Sequence, residues 1–232
     1  MERLLRFAKN SYAYVLGCTV TVLLVLLVAI SPRGVLFTNQ SFDPLRSMAP
    51  RSEAVIIGID DESLKRLGAW PLERIHFANL VEKLSAVGVR SVVFDILFLE
   101  PRPYDTELKE SFVKSTAPII LASKIDGEYL ESYLTASTTN VFSALANVHP
   151  DMDGKVRSYA PSSDLRGGCI PTLSQVAFDI STFKKAGTTC EGQEGMFRYP
   201  TNVPMYSLVD VLDGKISSDS LKGKTVFVGV ST

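Results

Sequence analysis

"EAVIIGIDDESLKRLGAWPLERIHFANLVEKLSAVGVRSVVFDILFLEP", Glu53–Pro101, decides the fold. Val55, Ile56, Ile57 and Ile59 make a short apolar run bounded by acids, the pattern of a strand buried on both faces. Leu72, Ile75, Phe77, Leu80, Val81, Leu84 and Val87 then recur at helical spacing, and Gly88 stands where a helix stops. "VRSVVFDILFLEP" is a second buried strand. Strand, amphipathic helix, strand is the order of a parallel crossover unit.

The order continues downstream. "YDTELKESFVKS" predicts a short amphipathic helix and "APIILAS" a third strand. The second half is less regular. "VFSALANV" reads as a helical turn leading into a strand, and "KVRSYAP" as a strand with Val156, Ser158 and Ala160 on one face. "IPTLSQVAFDISTFKK" predicts a helix, "EGMFRYP" a short strand, "YSLVDVLDG" a short helix ending at Gly214, and "KTVFVGVS" a last buried strand. There is no internal repeat and no low-complexity tract. The expected class is α/β, with a mixed, largely parallel sheet flanked by helices, preceded by one transmembrane helix.

That helix is predicted by the N-terminus. Arg3, Arg6 and Lys9 precede "YAYVLGCTVTVLLVLLVAI", Tyr12–Ile30, which carries no charge. Nineteen residues at about 1.5 Å each span about 28 Å, close to the hydrocarbon thickness of a bilayer. Tyr12 and Tyr14 suit the interface, and the preceding cations place the N-terminus in the cytoplasm. A cleaved signal peptide is the alternative, but the run is long for one and Pro32 would follow the cut. A buried soluble helix would want a polar face, which the run lacks. The chain thus divides into a cytoplasmic N-terminus (1–11), a transmembrane anchor (12–30), a linker (31–52) and an extracytoplasmic domain (53–232). The resulting protein is a single-pass protein of the inner (plasma) membrane, with its main domain periplasmic or extracellular.

Hydrophobic residues are 46% of the 232, and 24 basic side chains balance 25 acidic ones. That composition supports a packed core and gives no electrostatic case for nucleic acid. A domain of this size needs no covalent staples. Cys18 falls in the anchor. Cys169 and Cys190 form an even pair in a compartment that permits disulfides, and the helix expected between them can return the chain. Two buried free thiols are the alternative.

Acids gather where the strands end. Asp60 and Asp61 follow the first strand, Asp95 lies in the second, and Asp105 follows it. Ligands of open parallel sheets collect at the carboxyl ends of strands, so these acids are candidates for one shared crevice and for a hard divalent cation. The preferred reading is structural: the acids cap helices, with Asp61 or Ser63 as N-cap, and pair with Arg74 or Arg90. Trp70, the only tryptophan, either lines a pocket beside Arg74 or covers the core edge. The candidate ligand residues are Asp60, Asp61, Ser63, Trp70, Arg74 and Asp95. No catalytic residue, metal ligand or cofactor is assigned.

Enzyme signatures are missing. "LKGKTVFVG" has Gly-Lys-Thr, but Ser218 stands where the first glycine of a phosphate loop belongs and the strand follows instead of preceding. No Gly-x-Ser-x-Gly elbow occurs. His76 and His149 have neither metal nor triad spacing. "DMDGKVR", Asp151–Arg157, imitates a calcium loop, yet Lys155 and Ser162 occupy ligand positions and no long helix flanks it. Asp153-Gly154 therefore reads as a turn.

The Asp-Glu-Ser…Gly-x-Trp-Pro, Phe-Asp-x-x-Phe and Asp-x-Asp-Gly-x-x-Arg elements, with "PTLSQVAFD", "FRYP", "YSLVDVLDG" and "LKGKTVFVGVST", resemble the second type of CHASE domain from about residue 35 onward. The resemblance implies a non-catalytic extracytoplasmic sensor of bacterial receptors. Such a sensor follows a membrane anchor and normally precedes further membrane helices and a cyclase or kinase output. This chain ends at Thr232 without an output, which leaves a fragment of a longer receptor and a stand-alone anchored protein both open. The expected partners are the membrane, an unknown small-molecule or envelope signal, and a second copy or a signalling partner. The rivals are an envelope metal-dependent hydrolase using the acidic crevice and an anchored structural partner protein.

Overall fold

The computed structural model describes residues 15–27, 53–126, 129–131, 134, 140–146, 148, 150–160, 162–165, 168–182, 195–196 and 203–231. A helix covers residues 15–27 (α1), all of them exposed. No described helix is long and apolar enough to cross a membrane. Of the expected span at 12–30, the described part is a helix too short for that. Residues 12–14 and 28–30 lie outside the described residues.

The domain follows in chain order as β1 (Ala54–Ile59), α2 (Asp61–Leu67), α3 (Arg74–Val87), β2 (Ser91–Leu97), α4 (Asp105–Lys114) and β3 (Ile119–Asp126). Next come β4 (Tyr129–Glu131), β5 (Val141–Leu145), β6 (Ser158–Tyr159), β7 (Ser162–Leu165), β8 (Gly168–Pro171), α5 (Leu173–Ser181) and β9 (Gly195–Met196). The chain then forms β10 (Met205–Ser207), α6 (Leu208–Leu212), α7 (Ser218–Leu221) and β11 (Thr225–Val230). Six strands run parallel in the order β10-β1-β11-β2-β3-β5. β4 pairs antiparallel with the end of β3, and β6–β9 and β7–β8 form two small antiparallel pairs. The last strand lies between β1 and β2, so the first two strands are not neighbours.

Side chains alternate across the pleat. Val55, Ile57, Val92, Phe94 and Val228 meet Phe77, Leu80 and Leu84 of α3 and Leu108 and Phe112 of α4 on one face. Val93, Ile120, Ala122 and Ala144 meet Leu173, Val176 and Ala177 of α5 on the other. Phe77 sits edge-on to Phe94 and Phe98, with ring centroids 6.0 and 5.7 Å away. Such pairs add roughly 0.5–1.5 kcal/mol each beyond burial. The stop at Gly88 is as expected: its φ of 78° is left-handed, and its N–H donates to the carbonyls of Leu84 and Ser85.

Other expectations need correction. Residues 141–145 are strand from the first residue, without a helical turn, because Val141, Phe142 and Ser143 pair with Ile119, Ile120 and Leu121. Pairing with a formed sheet outweighs the local ambiguity of that run. The strand read at 155–161 shrinks to β6, since Lys155 to Arg157 belong to the preceding loop. Pro71 lies just before the Glu73 N-cap of α3, and the Trp70–Pro71 peptide bond is cis.

Candidate functional site

The carboxyl ends of the strands carry the candidates, and they fall into three places. The first is Asp60. It is the N-cap of α2, one residue earlier than expected, and its side chain accepts from Ser63 N at 2.9 Å and Ser63 Oγ at 2.6 Å. Ser207 Oγ donates to the same oxygen at 2.9 Å, and Ser63 Oγ accepts from Val209 N at 3.3 Å. Asp60 and buried Ser63 therefore tie the start of α2 to the start of α6. Burial works to raise the Asp60 carboxyl, but the bonds from Ser63 and Ser207 outweigh it and hold it below the usual range. Asp61 begins α2 and is exposed, where the helix N-terminus favours a negative charge.

The second place is a cleft of about 150 Å³ beside the start of α3, lined by Trp70, Pro71, Arg74 and Phe77, and by β2 and the residues after it, Ile96 to Arg102 in part. Trp70 is 44% exposed and Arg74 only 3%. Arg74 lies with its guanidinium carbon 4.5 Å above the Phe98 ring, and its Nε donates to Asp105 Oδ1 at 3.1 Å. Asp105 Oδ2 accepts from Arg102 N at 2.8 Å, which fixes the carboxylate. Burial lowers the Arg74 guanidinium from its ordinary value, and Asp105 offsets part of that. Trp70 thus lines a cleft beside Arg74.

The third place is Asp95. Its strand neighbours Phe94 and Ile96 point into the core under α3, so Asp95 lies on the opposite sheet face, across from Gly229 of β11. The residue is exposed, yet desolvation by the surrounding protein raises its carboxyl above the usual range. Because water reaches it, the rise is worth little free energy.

The acids thus take different partners. Asp60 is capped by hydroxyls, Asp105 pairs with Arg74, Asp95 faces away, and Arg90 pairs with Glu53 at 2.6 Å. Among the described residues, no group of three His, Cys, Asp or Glu side chains could hold a metal ion.

Among the described residues, the most buried charged side chain is one the sequence does not mark as a site. Arg157 has none of its side chain exposed, and it bonds Asp151 Oδ2 at 2.9 Å and Asp153 Oδ1 and Oδ2 at 2.8 and 2.7 Å. The expected turn is present: Gly154 has φ of 79°, and Asp151 N and O bond Lys155 O and Gly154 N, each at 2.8 Å. The cation held by these aspartates is therefore the guanidinium three residues beyond the glycine. Asp-x-Asp-Gly with an arginine at that offset was the available signal. Cys169 is disulfide-bonded and Cys18 is free. Cys190, the partner expected from the sequence, lies outside the described residues.

Residues 20–232 match the family model of the CHASE2 domain. No curated protein and no solved structure matches the chain. CHASE2 domains are extracytoplasmic sensory domains of signalling receptors and are typically non-catalytic. The match covers nearly the whole chain, including the Arg157 loop and the Arg74 cleft: this protein belongs to the CHASE2 family.

Proposed function

We propose that the chain is the ligand-binding input of a membrane signalling receptor, held by a single span at residues 12–30 with its N-terminus in the cytoplasm. The domain at 53–232 faces the periplasm or the cell exterior and senses its signal at the Trp70–Arg74 cleft. The family match carries this reading. α1 supports the anchor: Val15, Leu16 and Leu23 to Leu27 are all more than half exposed. Its hydroxyls are turned inward, Thr19 to the Leu16 carbonyl at 2.9 Å and Thr21 to that of Gly17 at 2.8 Å. A helix with satisfied polar groups and an uncovered apolar surface suits lipid.

The signal would act by population shift. It binds one arrangement of the domain better than another, and the anchor passes the difference to a cyclase or kinase output, in the same polypeptide or a partner. A homodimer makes that transmission mechanically simple. A Cys169–Cys190 bond belongs to the same proposal, since it needs an oxidising compartment. An acidic metal site for hydrolysis finds no support among the described residues, where no three His, Cys, Asp or Glu side chains could hold a metal ion.

Alkaline extraction of membranes tests the anchor. The full chain should stay with the bilayer, and a chain lacking residues 1–30 should be released from it. Release of the full chain would contradict the anchored reading.

A further inference from the structure

The guanidinium of Arg74 is under-bonded. Its side chain is 4% exposed, and a buried charge needs its donors filled. It has five N–H donors. Nε bonds Asp105 at 3.1 Å, Nη2 reaches the Glu100 carbonyl only at 3.5 Å, and Nη1 has no partner among the described residues. A contact of 3.5 Å is at the limit of hydrogen bonding. Among the described side chains, the only buried nitrogen or oxygen atoms without a partner are Ser123 Oγ and Ser231 Oγ. Nη1 is therefore not sealed in the core: it opens on the cleft that Arg74 lines.

The rest of the cleft selects what can reach it. Trp70, Ile96, Leu97 and Leu99 supply apolar walls, and Trp70 and Leu97 are 44% and 41% exposed at the mouth. Two ion pairs frame it, Arg74 with Asp105 and Arg102 with Glu100 at 2.7 Å, so the acids are already engaged by cations. The unused groups are N–H donors on a buried cation and apolar surface. About 150 Å³ is smaller than a drug-sized pocket.

We infer that this cleft binds a small carboxylate with a compact apolar body, its oxygen accepting from Arg74 Nη1 and its body lying between Trp70 and Leu97. The inference rests on the reading of the cleft as the signal site and adds the class of ligand. An anionic oxygen suits the guanidinium fork, whereas an amide offers a neutral acceptor and a donor that the arginine repels.

Trp70 is the chain's only tryptophan, so its fluorescence reports from the cleft. The full chain in detergent is titrated with benzoate and with benzamide. Benzoate should shift the emission saturably at millimolar concentration, and benzamide at least about tenfold more weakly, for loss of one charge-assisted bond. Arg74→Lys should weaken benzoate by about the same factor. Leu97→Asp, at an exposed position, serves if Arg74→Lys does not fold, and should abolish the response. Equal binding of benzoate and benzamide, or a benzoate affinity unchanged in folded variants, overturns the carboxylate class and leaves the cleft as a site. No saturable change with either compound overturns the class and the cleft together.

Discussion

Arg157 Nη2 lies 2.7 Å from Asp153 Oδ2, and none of the arginine side chain that makes this contact is exposed. Asp151 takes the same guanidinium at 2.9 Å. The loop resembles a cation site because it is one, with an internal cation. Asp153→Ala leaves the buried guanidinium short of a bidentate partner and should cost about 3 kcal/mol. Urea unfolding measures it, and an unchanged midpoint would show that the contact carries no stability. Millimolar calcium should leave the wild-type midpoint in place.

Asp60 ties two helix starts, so Asp60→Ala should destabilise at neutral pH by about 1–2 kcal/mol. Its pKa is lowered in the folded state, so the contribution is full above the unfolded carboxylate pKa. It is lost as pH falls through the folded value. Unfolding curves of wild type and variant should therefore converge in acid. A gap that persists at the lowest pH where the fold survives would assign the effect to packing.

Asp95 has the opposite sign. Its pKa is raised by desolvation, so the ionised form weakens the fold above that pKa, and protonation relieves the penalty as pH falls. Asp95→Asn should raise Tm slightly at neutral pH, with the gain shrinking in acid. A lower Tm at neutral pH would contradict the assignment.

The three buried strands, α3 and its stop at Gly88 were legible because apolar spacing and a left-handed glycine are local signals. The sheet order was not. β11 enters between β1 and β2, and nothing within a strand of alternating Val and Phe states which neighbours it takes. The candidate residues divided for a similar reason. Asp60 leaves β1 to cap α2, whereas Asp95 stays within β2, and the apolar spacing of the two strands does not say which partners either acid takes. The roles of Ser207 and Arg157 are not legible in the sequence, because their partners, Asp60 and the Asp151–Asp153 pair, have adequate local explanations as a cap and a turn.

Gly58 of β1 marks a close approach that the sequence shows only as a glycine in an apolar run. A Cβ there would meet Ser231 Oγ, and would lie 2.6 Å from Met205 Cε and 2.9 Å from Ser231 Cβ. Gly58→Val should cost about 1–3 kcal/mol through overpacking between β10 and the end of β11. Thermal unfolding checks it, and wild-type stability would mean that the C-terminal residues yield freely.

The central claim is that the domain carrying the Arg74 cleft lies outside the cytoplasm. Met152 is 72% exposed beside the Arg157 loop, so Met152→Cys in a Cys18→Ser chain gives a reporter thiol on the folded surface. Treatment of intact spheroplasts with a membrane-impermeant maleimide should label this cysteine fully, and the parent without it should stay unlabelled. Labelling that appears only after the membrane is lysed would contradict the account.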